Sequence, residues 1–204
     1  ILRPALAAAA DVVVIGDVSE EAAIAAVQAT FGAGPARPRL PAVPLKAVPL
    51  ADGGPAHVAF HKGRADQGML GWHWSMPDQR ADVALSNTGR VAASILQTRL
   101  VDIVREKLGI TYSPRASGGG DLDIAGLGRF SAEIETPPEK FDAFREVLRT
   151  QLAELAAKPV SADELQRAKQ PMVEQSRKAP EYNAHWAFWL QRILIEPDMK
   201  AMKM

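Results

Sequence analysis

Two segments in which apolar and polar residues alternate, residues 67–76 and 126–135, lie on either side of a long helical pattern in this chain. Their apolar faces consist of Leu70, Trp72, Trp74 and Met76 in the first, and Phe130, Ala132 and Ile134 in the second. A two-residue period is typical of a strand that buries one face and exposes the other. The segments therefore predict strands covered on one face, with Arg129, Ser131, Glu133 and Glu135 pointing outward from the second.

The other patterns predict further elements around these strands. A helix is expected over about residues 80–107, with Gly109 as its C-cap, followed by an extended run to Ser117. The glycines at 118–120, with Asp121, predict a plain hairpin turn and have no phosphate-loop residues around them. Thr136 and Ser161 each begin a capping box, and Pro180 separates two final helices.

The N-terminal part predicts a buried strand over residues 11–16 and a helix capped by Ser19. A proline-rich connector over residues 35–55 leads to a short strand at 56–61. The order strand–helix–strand–strand–helix–strand–strand–helix–helix–helix predicts an α+β fold. In such a fold, helices pack on one face of a mainly antiparallel sheet.

The charge balance excludes some partners. Lys plus Arg and Asp plus Glu are 24 each, so no long-range positive field attracts nucleic acid or an anionic membrane, and we expect neither partner. Without cysteine the chain fits the cytoplasm or the periplasm equally, so its localisation is left open. Because it begins without Met and ends inside a helical pattern, we expect residues 1–204 to be one domain truncated at both ends from a larger multi-domain protein.

Few residue patterns indicate catalysis or metal binding. The closest histidine pair, His57 and His61, lies in a strand-like run with no acid between its members, and we interpret both as isolated histidines. A Gly-x-Ser-x-Gly elbow is missing from the sequence, as is His-x-x-Glu-His in either direction. Glu133 and Glu135 are interpreted as a solvated face, with acid–base work as the alternative. The four tryptophans are interpreted as core, with a ligand platform as the alternative.

The segment from Arg105 to Tyr112 is the most informative for function. A helix ending in Arg-Glu-Lys breaks at Gly109 and passes directly into a strand that carries Tyr112. From these features alone, favourable charges at a helix C-terminus and a half-buried tyrosine explain the pattern.

Taken together with other motifs, this segment resembles insulinase/pitrilysin-type zinc peptidases and their mitochondrial-processing-peptidase relatives. Arg105-Glu-Lys-x-Gly-x-x-Tyr112-Ser is similar to the Arg/Tyr pair of that family. The strand ending in Gly16-Asp17, the run over residues 67–77 and the helix start at Pro137-Pro-Glu-Lys-Phe occur in the same order as in the family. The resemblance covers nearly the whole chain.

The resemblance implies a metallopeptidase half-barrel domain that forms part of a closed substrate chamber. In the family, the zinc motif His-x-x-Glu-His belongs to the N-terminal half, and this chain resembles the second domain of the zinc-free C-terminal half. No catalytic residue, metal ligand or cofactor is therefore expected here, and zinc is expected in the N-terminal half of the parent or in a partner subunit. Arg105 and Tyr112 would bind the substrate by donating hydrogen bonds to a peptide carbonyl.

Partners follow from the same resemblance. We expect the zinc-bearing half, in the same chain or in a partner subunit, and a peptide or unfolded polypeptide that adds a strand to a sheet edge. Two alternatives stay open: a scaffold domain of the same fold without peptidase activity, and a stand-alone hydrolase with an unrecognised site.

Overall fold

The computed structural model describes residues 8–39, 46–50, 53–54, 57–108 and 114–195. The helices are α1 (Glu20–Ala29), α2 (Val83–Ile103), α3 (Phe141–Ala157), α4 (Ala162–Lys178) and α5 (Asn183–Ile195). The strands are β1 (Gly68–Met76), β2 (Arg115–Gly120) and β3 (Gly128–Thr136). A π-helical turn, Val104–Leu108, extends α2, and short 3-10 turns, Pro138–Lys140 and Ala179–Glu181, precede α3 and α5. The predicted C-cap Gly109 lies outside the described residues.

The chain divides into two compact units, which are described separately. Leu45–Pro171 forms one unit, and Ile1–Pro44 with Met172–Met204 forms the other. The first contains the sheet with α2 and α3, and the second contains α1 and α5. The expectation of a single domain truncated at both ends stays a prediction.

The three strands form one antiparallel sheet in the order β1-β3-β2. β3 is the central strand, with Ala132 opposite Trp72 of β1 on one side and Ala116 of β2 on the other. Since residues directly opposite share a face, the apolar faces predicted for residues 67–76 and 126–135 coincide in the sheet. The predicted α+β class with an antiparallel sheet is therefore confirmed.

The core lies between this apolar sheet face and the helices. Its fully or almost fully buried members are Leu96, Leu100, Val104, Ala132, Ile134, Phe144 and Leu148. Leu96, Leu100 and Val104 recur every four residues, so one stripe of α2 and its final turn faces the sheet. Phe144 of α3 packs beside Trp72, with ring centroids 6.1 Å apart. The interpretation of the tryptophans as core residues is therefore confirmed for Trp72, whereas the side chain of Trp74 is 38% exposed.

Side-chain caps fix the starts of two helices in this unit. Asp82 accepts a hydrogen bond from the N–H of Leu85 at 2.8 Å, and Ser161 accepts one from Glu164 at 3.2 Å. The cap at Ser161 confirms the prediction. The cap at Thr136 was wrong: Thr136 ends β3 opposite Gly68 and is buried, so sheet pairing replaces capping there.

The glycines at 118–120 belong to β2 and not to the turn that the sequence predicted. A Cβ atom on Gly118 would overlap the carbonyl oxygen of Gly89, and one on Gly120 would overlap the backbone N atom of Gln79. The backbone of β2 therefore approaches α2 and the preceding turn too closely for any side chain at these two positions. The connection between β2 and β3 is formed by residues 121–127.

Two predicted strands are not formed. Residues 11–15 and 57–61 have no strand pairing, and the side chains of Val12, Val14, Val58 and Phe60 are 39–96% exposed. A β-branched or alternating run becomes a strand only when another strand supplies its hydrogen bonds. Ala56, the first residue of the second predicted strand, lies outside the described residues.

In the second unit, Ser19 caps α1 as predicted, accepting a hydrogen bond from the N–H of Ala22 at 3.2 Å. Pro180 falls in the 3-10 turn between α4 and α5, which confirms the predicted interruption. Trp186 of α5 is 36% exposed and donates its indole N–H to the carbonyl oxygen of Pro180 at 2.8 Å. The core interpretation is therefore wrong for Trp186.

Candidate functional site

Arg105 lies in the π-helical turn that ends α2, and its side chain is exposed. The preceding residue, Val104, is fully buried in the core. The helix end is thus anchored by one side chain while its neighbour projects into solvent. Tyr112 lies outside the described residues, so the convergence of Arg105 and Tyr112 stays a prediction.

The strand that follows this segment is fixed by a side chain of α2. Gln97 donates its amide N–H to the carbonyl oxygen of Pro114 at 2.7 Å and accepts from the N–H of Ala116 at 2.5 Å. Both bonds are made to groups on the outer edge of β2, so the Gln97 amide acts as a neighbouring strand would. Nothing in the sequence pattern indicated this role for Gln97.

Helix α2 covers the β2 edge of the sheet along its length. Besides the two Gln97 bonds, the hydroxyl oxygen of Ser86 accepts from the N–H of Gly120 at 2.9 Å, and Gly118 lies against the backbone of Gly89. A covered edge cannot pair with another strand. Pairing with a peptide is therefore blocked on the β2 side.

The alternation of backbone directions then identifies the groups on the opposite edge. Since Ala116 directs its N–H away from β3, its partner Ala132 directs its own backbone groups toward Trp72. Gly71 and His73 consequently present their N–H and C=O groups on the outer edge of β1. Within the described part of the chain, no strand is paired with that edge.

The sheet face away from the core carries most of the polar candidates. His73, Ser131 and Ser117 form one row across the three strands, and the two serine hydroxyls are 2.7 Å apart. Ser131 lies on the face that the sequence predicted, but it is buried. Glu133 occupies the next row, opposite Gly71 and Arg115, and Glu135 follows it along β3. The solvated-face interpretation fits the exposed Glu135 and the partly buried Glu133.

Of the four histidines, His61 has its ring held by two neighbouring backbone groups. His61 accepts from the N–H of Gly63 at 2.9 Å through Nδ1, and its Nε2 lies 3.0 Å from the carbonyl oxygen of Gln67. Both ring nitrogens therefore have partners, with the proton on Nε2. Across the described ranges, no group of three or more His, Asp or Glu residues is placed to hold a metal ion.

Two carboxylates with lowered pKa values hold the framework together. The N–H groups of Gly126, Ala81 and Arg80 donate to Asp78 and hold the pKa of its carboxyl below the ordinary range, which ties the loop after β2 to the start of α2. The Arg99 guanidinium similarly lowers the pKa of Glu164 through a bidentate contact of 2.6 and 2.9 Å. Both roles are structural.

The fold and the site together define an α+β domain with helices on one sheet face, a polar open face, and an exposed arginine at the end of the longest described helix. Comparison with known families gives the narrower assignment. The family profile described as the peptidase M16 inactive domain matches residues 6–172, so the chain belongs to that family. The predicted membership is confirmed.

Two solved structures are similar to this chain. The crystal structure of a peptidase M16 inactive domain from Pseudomonas fluorescens matches this chain with a TM-score of 0.51 at 23% identity. The match covers 79% of this chain and 38% of the Pseudomonas fluorescens chain. The crystal structure of a conserved protein from Enterococcus faecalis V583 matches with a TM-score of 0.54 at 16% identity. This match covers 89% of the present chain and 41% of the Enterococcus faecalis chain. This chain thus spans less than half the length of either. No curated protein matches it.

None of the helices in the described residues has the length and apolar character needed to cross a membrane.

Proposed function

We propose that this chain is a non-catalytic domain of a zinc-dependent peptidase, where it forms part of a closed chamber and binds the peptide substrate. Membership in the inactive-domain family supports the non-catalytic role. The sequence also contains no His-x-x-Glu-His in either direction. Zinc would be held by the N-terminal half of the parent or by a partner subunit, which would also be the principal partner of this domain.

The observation that carries the proposal is the exposed Arg105 side chain at an anchored helix end. A guanidinium is a cationic group that can donate two parallel hydrogen bonds. Aimed at a peptide carbonyl in a water-poor chamber, such a donor is worth more than in bulk water, and more still as charge develops on that oxygen. Tyr112 would supply the second donor through its phenol hydroxyl.

The outer edge of β1 could bind the main chain of a peptide through backbone hydrogen bonds. Met69, Gly71 and His73 present backbone groups at alternate positions along this edge, as the strand-pairing geometry requires. The glycine at position 71 leaves the backbone accessible there, and the polar open face lies beside it. An extended peptide would therefore add as a fourth strand next to β1.

Peptide turnover by the full-length parent, with its zinc-bearing half, tests the proposed role of Arg105 and Tyr112. We expect Arg105→Ala to lower kcat/KM by tenfold or more, since a hydrogen bond from a charged donor contributes about 1.5–3 kcal/mol. Tyr112→Phe removes a neutral donor, worth about 0.5–1.5 kcal/mol, and should lower kcat/KM severalfold. The melting temperature should change little, because Arg105 is exposed. Arg145→Ala, on the exposed surface of α3, is the matched control and should leave both quantities unchanged.

Two results would contradict the proposal. Unchanged kinetics together with a lowered melting temperature would make Arg105 a structural residue. Complete absence of peptide turnover in the unaltered full-length parent, with its zinc-bearing half present, would instead favour the scaffold alternative.

The proposed pairing edge is tested in the same assay by His73→Pro. Proline removes the outward N–H of residue 73 and is tolerated at a strand edge, whereas His73→Ala retains the N–H. Only the proline variant should raise KM, and an equal effect of the two variants would assign the role to the imidazole.

A further inference from the structure

A cavity of about 380 Å³ opens at the glycine-rich end of β2. The strand contributes Gly118, Gly119 and Gly120, which have no side chains to fill the space, and the wall is completed from α2, β3 and the connecting loops. Gly119 has φ +136°, and a Cβ atom there would meet the Nε atom of Arg90 at 3.1 Å. Glycine at 119 therefore permits both the backbone conformation and the position of Arg90 over the strand.

Two arginines line this cavity, and neither is neutralised by a described residue. Arg90 donates to the side-chain oxygens of Gln79 at 2.5 Å and Asn87 at 3.1 Å, both of which are uncharged. These two amides fix the guanidinium in place and leave its charge uncompensated. Arg129, on the open face of β3, has no hydrogen bond or ion pair with any described residue.

The single acidic residue in the described wall, Asp121, already accepts hydrogen bonds from the backbone. Its Oδ1 accepts from the N–H groups of Asp123 and Ile124, both at 2.8 Å, so the carboxylate closes the loop after β2. The lining side chains thus carry two positive charges and one negative charge. Leu50 and Leu127 supply apolar wall beside the charged groups. Such a cavity matches a ligand with an anionic end and an apolar body.

We propose that this cavity is a subsite for the C-terminal carboxylate of a peptide whose last side chain is apolar. The carboxylate is recognised by Arg90 and Arg129, and the side chain packs against Leu50 and Leu127. The inference rests on the proposed function, because it takes a peptide as the ligand. A carboxylate on an acidic side chain has the same chemistry, so the experiment must separate these two sources.

The test measures by isothermal titration calorimetry the affinity of the intact protein for three decapeptides that differ only at their C-terminal end. One ends in Leu with a free carboxylate, the second ends in Leu amide, and the third ends in Asp amide. A charge-assisted hydrogen bond predicts that the free acid binds roughly tenfold or more tightly than the Leu amide. Raising the salt concentration should reduce this preference, since the arginines are exposed.

Variants locate the preference in the cavity. Arg129→Gln removes a charge that has no described partner, so folding should be unaffected, and the preference for the free acid should fall severalfold. Arg90→Gln should have the same effect, with circular dichroism to confirm that the loss of its contacts to Gln79 and Asn87 leaves the fold intact. Arg145→Gln, on α3, is the control and should leave the preference unchanged.

The other outcomes overturn the inference in distinguishable ways. Equal binding of acid and amide, or a preference that survives both variants, removes the carboxylate subsite and leaves the proposed function standing. Binding of the Asp amide as tightly as the free Leu acid assigns the cavity to acidic side chains. If none of the three peptides binds, the proposed peptide-binding function and the subsite both fail.

Discussion

Replacing Glu164 by Gln removes one charge from the ion pair that joins the start of α4 to α2. The Glu164 carboxylate accepts from Nε and Nη2 of Arg99 at 2.6 and 2.9 Å, and the side chains of Arg99 and Glu164 are 23% and 22% exposed. Each charge-assisted hydrogen bond contributes about 1.5–3 kcal/mol. Gln retains one acceptor oxygen, so we expect the loss of about one bond, roughly 2 kcal/mol of the free energy of unfolding.

This contribution depends on pH with a definite sign. The hydrogen bond with Arg99 lowers the pKa of Glu164 in the folded chain, and burial opposes it only in part. A carboxyl with a lowered folded pKa stabilises the fold above its unfolded pKa of about 4.3 and loses that effect as the pH falls through the folded pKa. Since Gln does not titrate, the stability difference between the unaltered chain and the Glu164→Gln variant should shrink on acidification below about pH 5.

Urea unfolding followed by circular dichroism, near neutrality and at about pH 3, measures both effects. Glu146→Gln is the matched control, because its partner Arg149 lies 3.8 Å away and the two side chains are 81% (Arg149) and 68% (Glu146) exposed. Its cost should stay below about 0.5 kcal/mol. An equal, small effect of Glu164→Gln and Glu146→Gln near neutrality would refute the reasoning, since the pair would then act as an ordinary surface contact.

The remaining stability predictions use the same urea assay. Phe144→Ala removes a fully buried ring packed beside Trp72 and should cost about 3–5 kcal/mol; a loss below about 1 kcal/mol would mean that the core closes over the cavity. Gln97→Met leaves the N–H of Ala116 and the carbonyl of Pro114 without their partner and should cost about 2 kcal/mol. Gln97→Glu keeps the acceptor for the N–H of Ala116 but loses the donor to the carbonyl of Pro114. If both variants cost no more than a surface substitution, the proposed role of Gln97 in covering the edge of β2 would be contradicted.

The candidate site was predictable in one part only. The helix end at Arg105 follows from a local pattern, because Arg-Glu-Lys precedes a break in the helical periodicity. Arg90 and Arg129 carry no such signal, since they lie far apart in the sequence and line one cavity only after β2 has paired with β3 and packed against α2. The Arg99–Glu164 contact joins residues 65 positions apart and has the same origin.

The errors in predicting the fold share one cause. Residues 11–15 and 57–61 have the composition of strands, yet neither run has a partner in the sheet. The glycines at 118–120 have the composition of a turn, yet they lie in β2, because the backbone of α2 approaches that strand. In both cases the local composition allows more than one backbone conformation, and contacts with residues distant in sequence select one of them.

The amino-acid sequence alone determined the α+β class, the family, and the faces of β1 and β3, because side-chain periodicity is set by backbone geometry within each element. Tertiary structure decided which sheet edge is covered, where β2 ends, and which charges meet. Those features depend on hydrogen bonds and ion pairs between residues far apart in the chain, and periodicity contains no record of such distances.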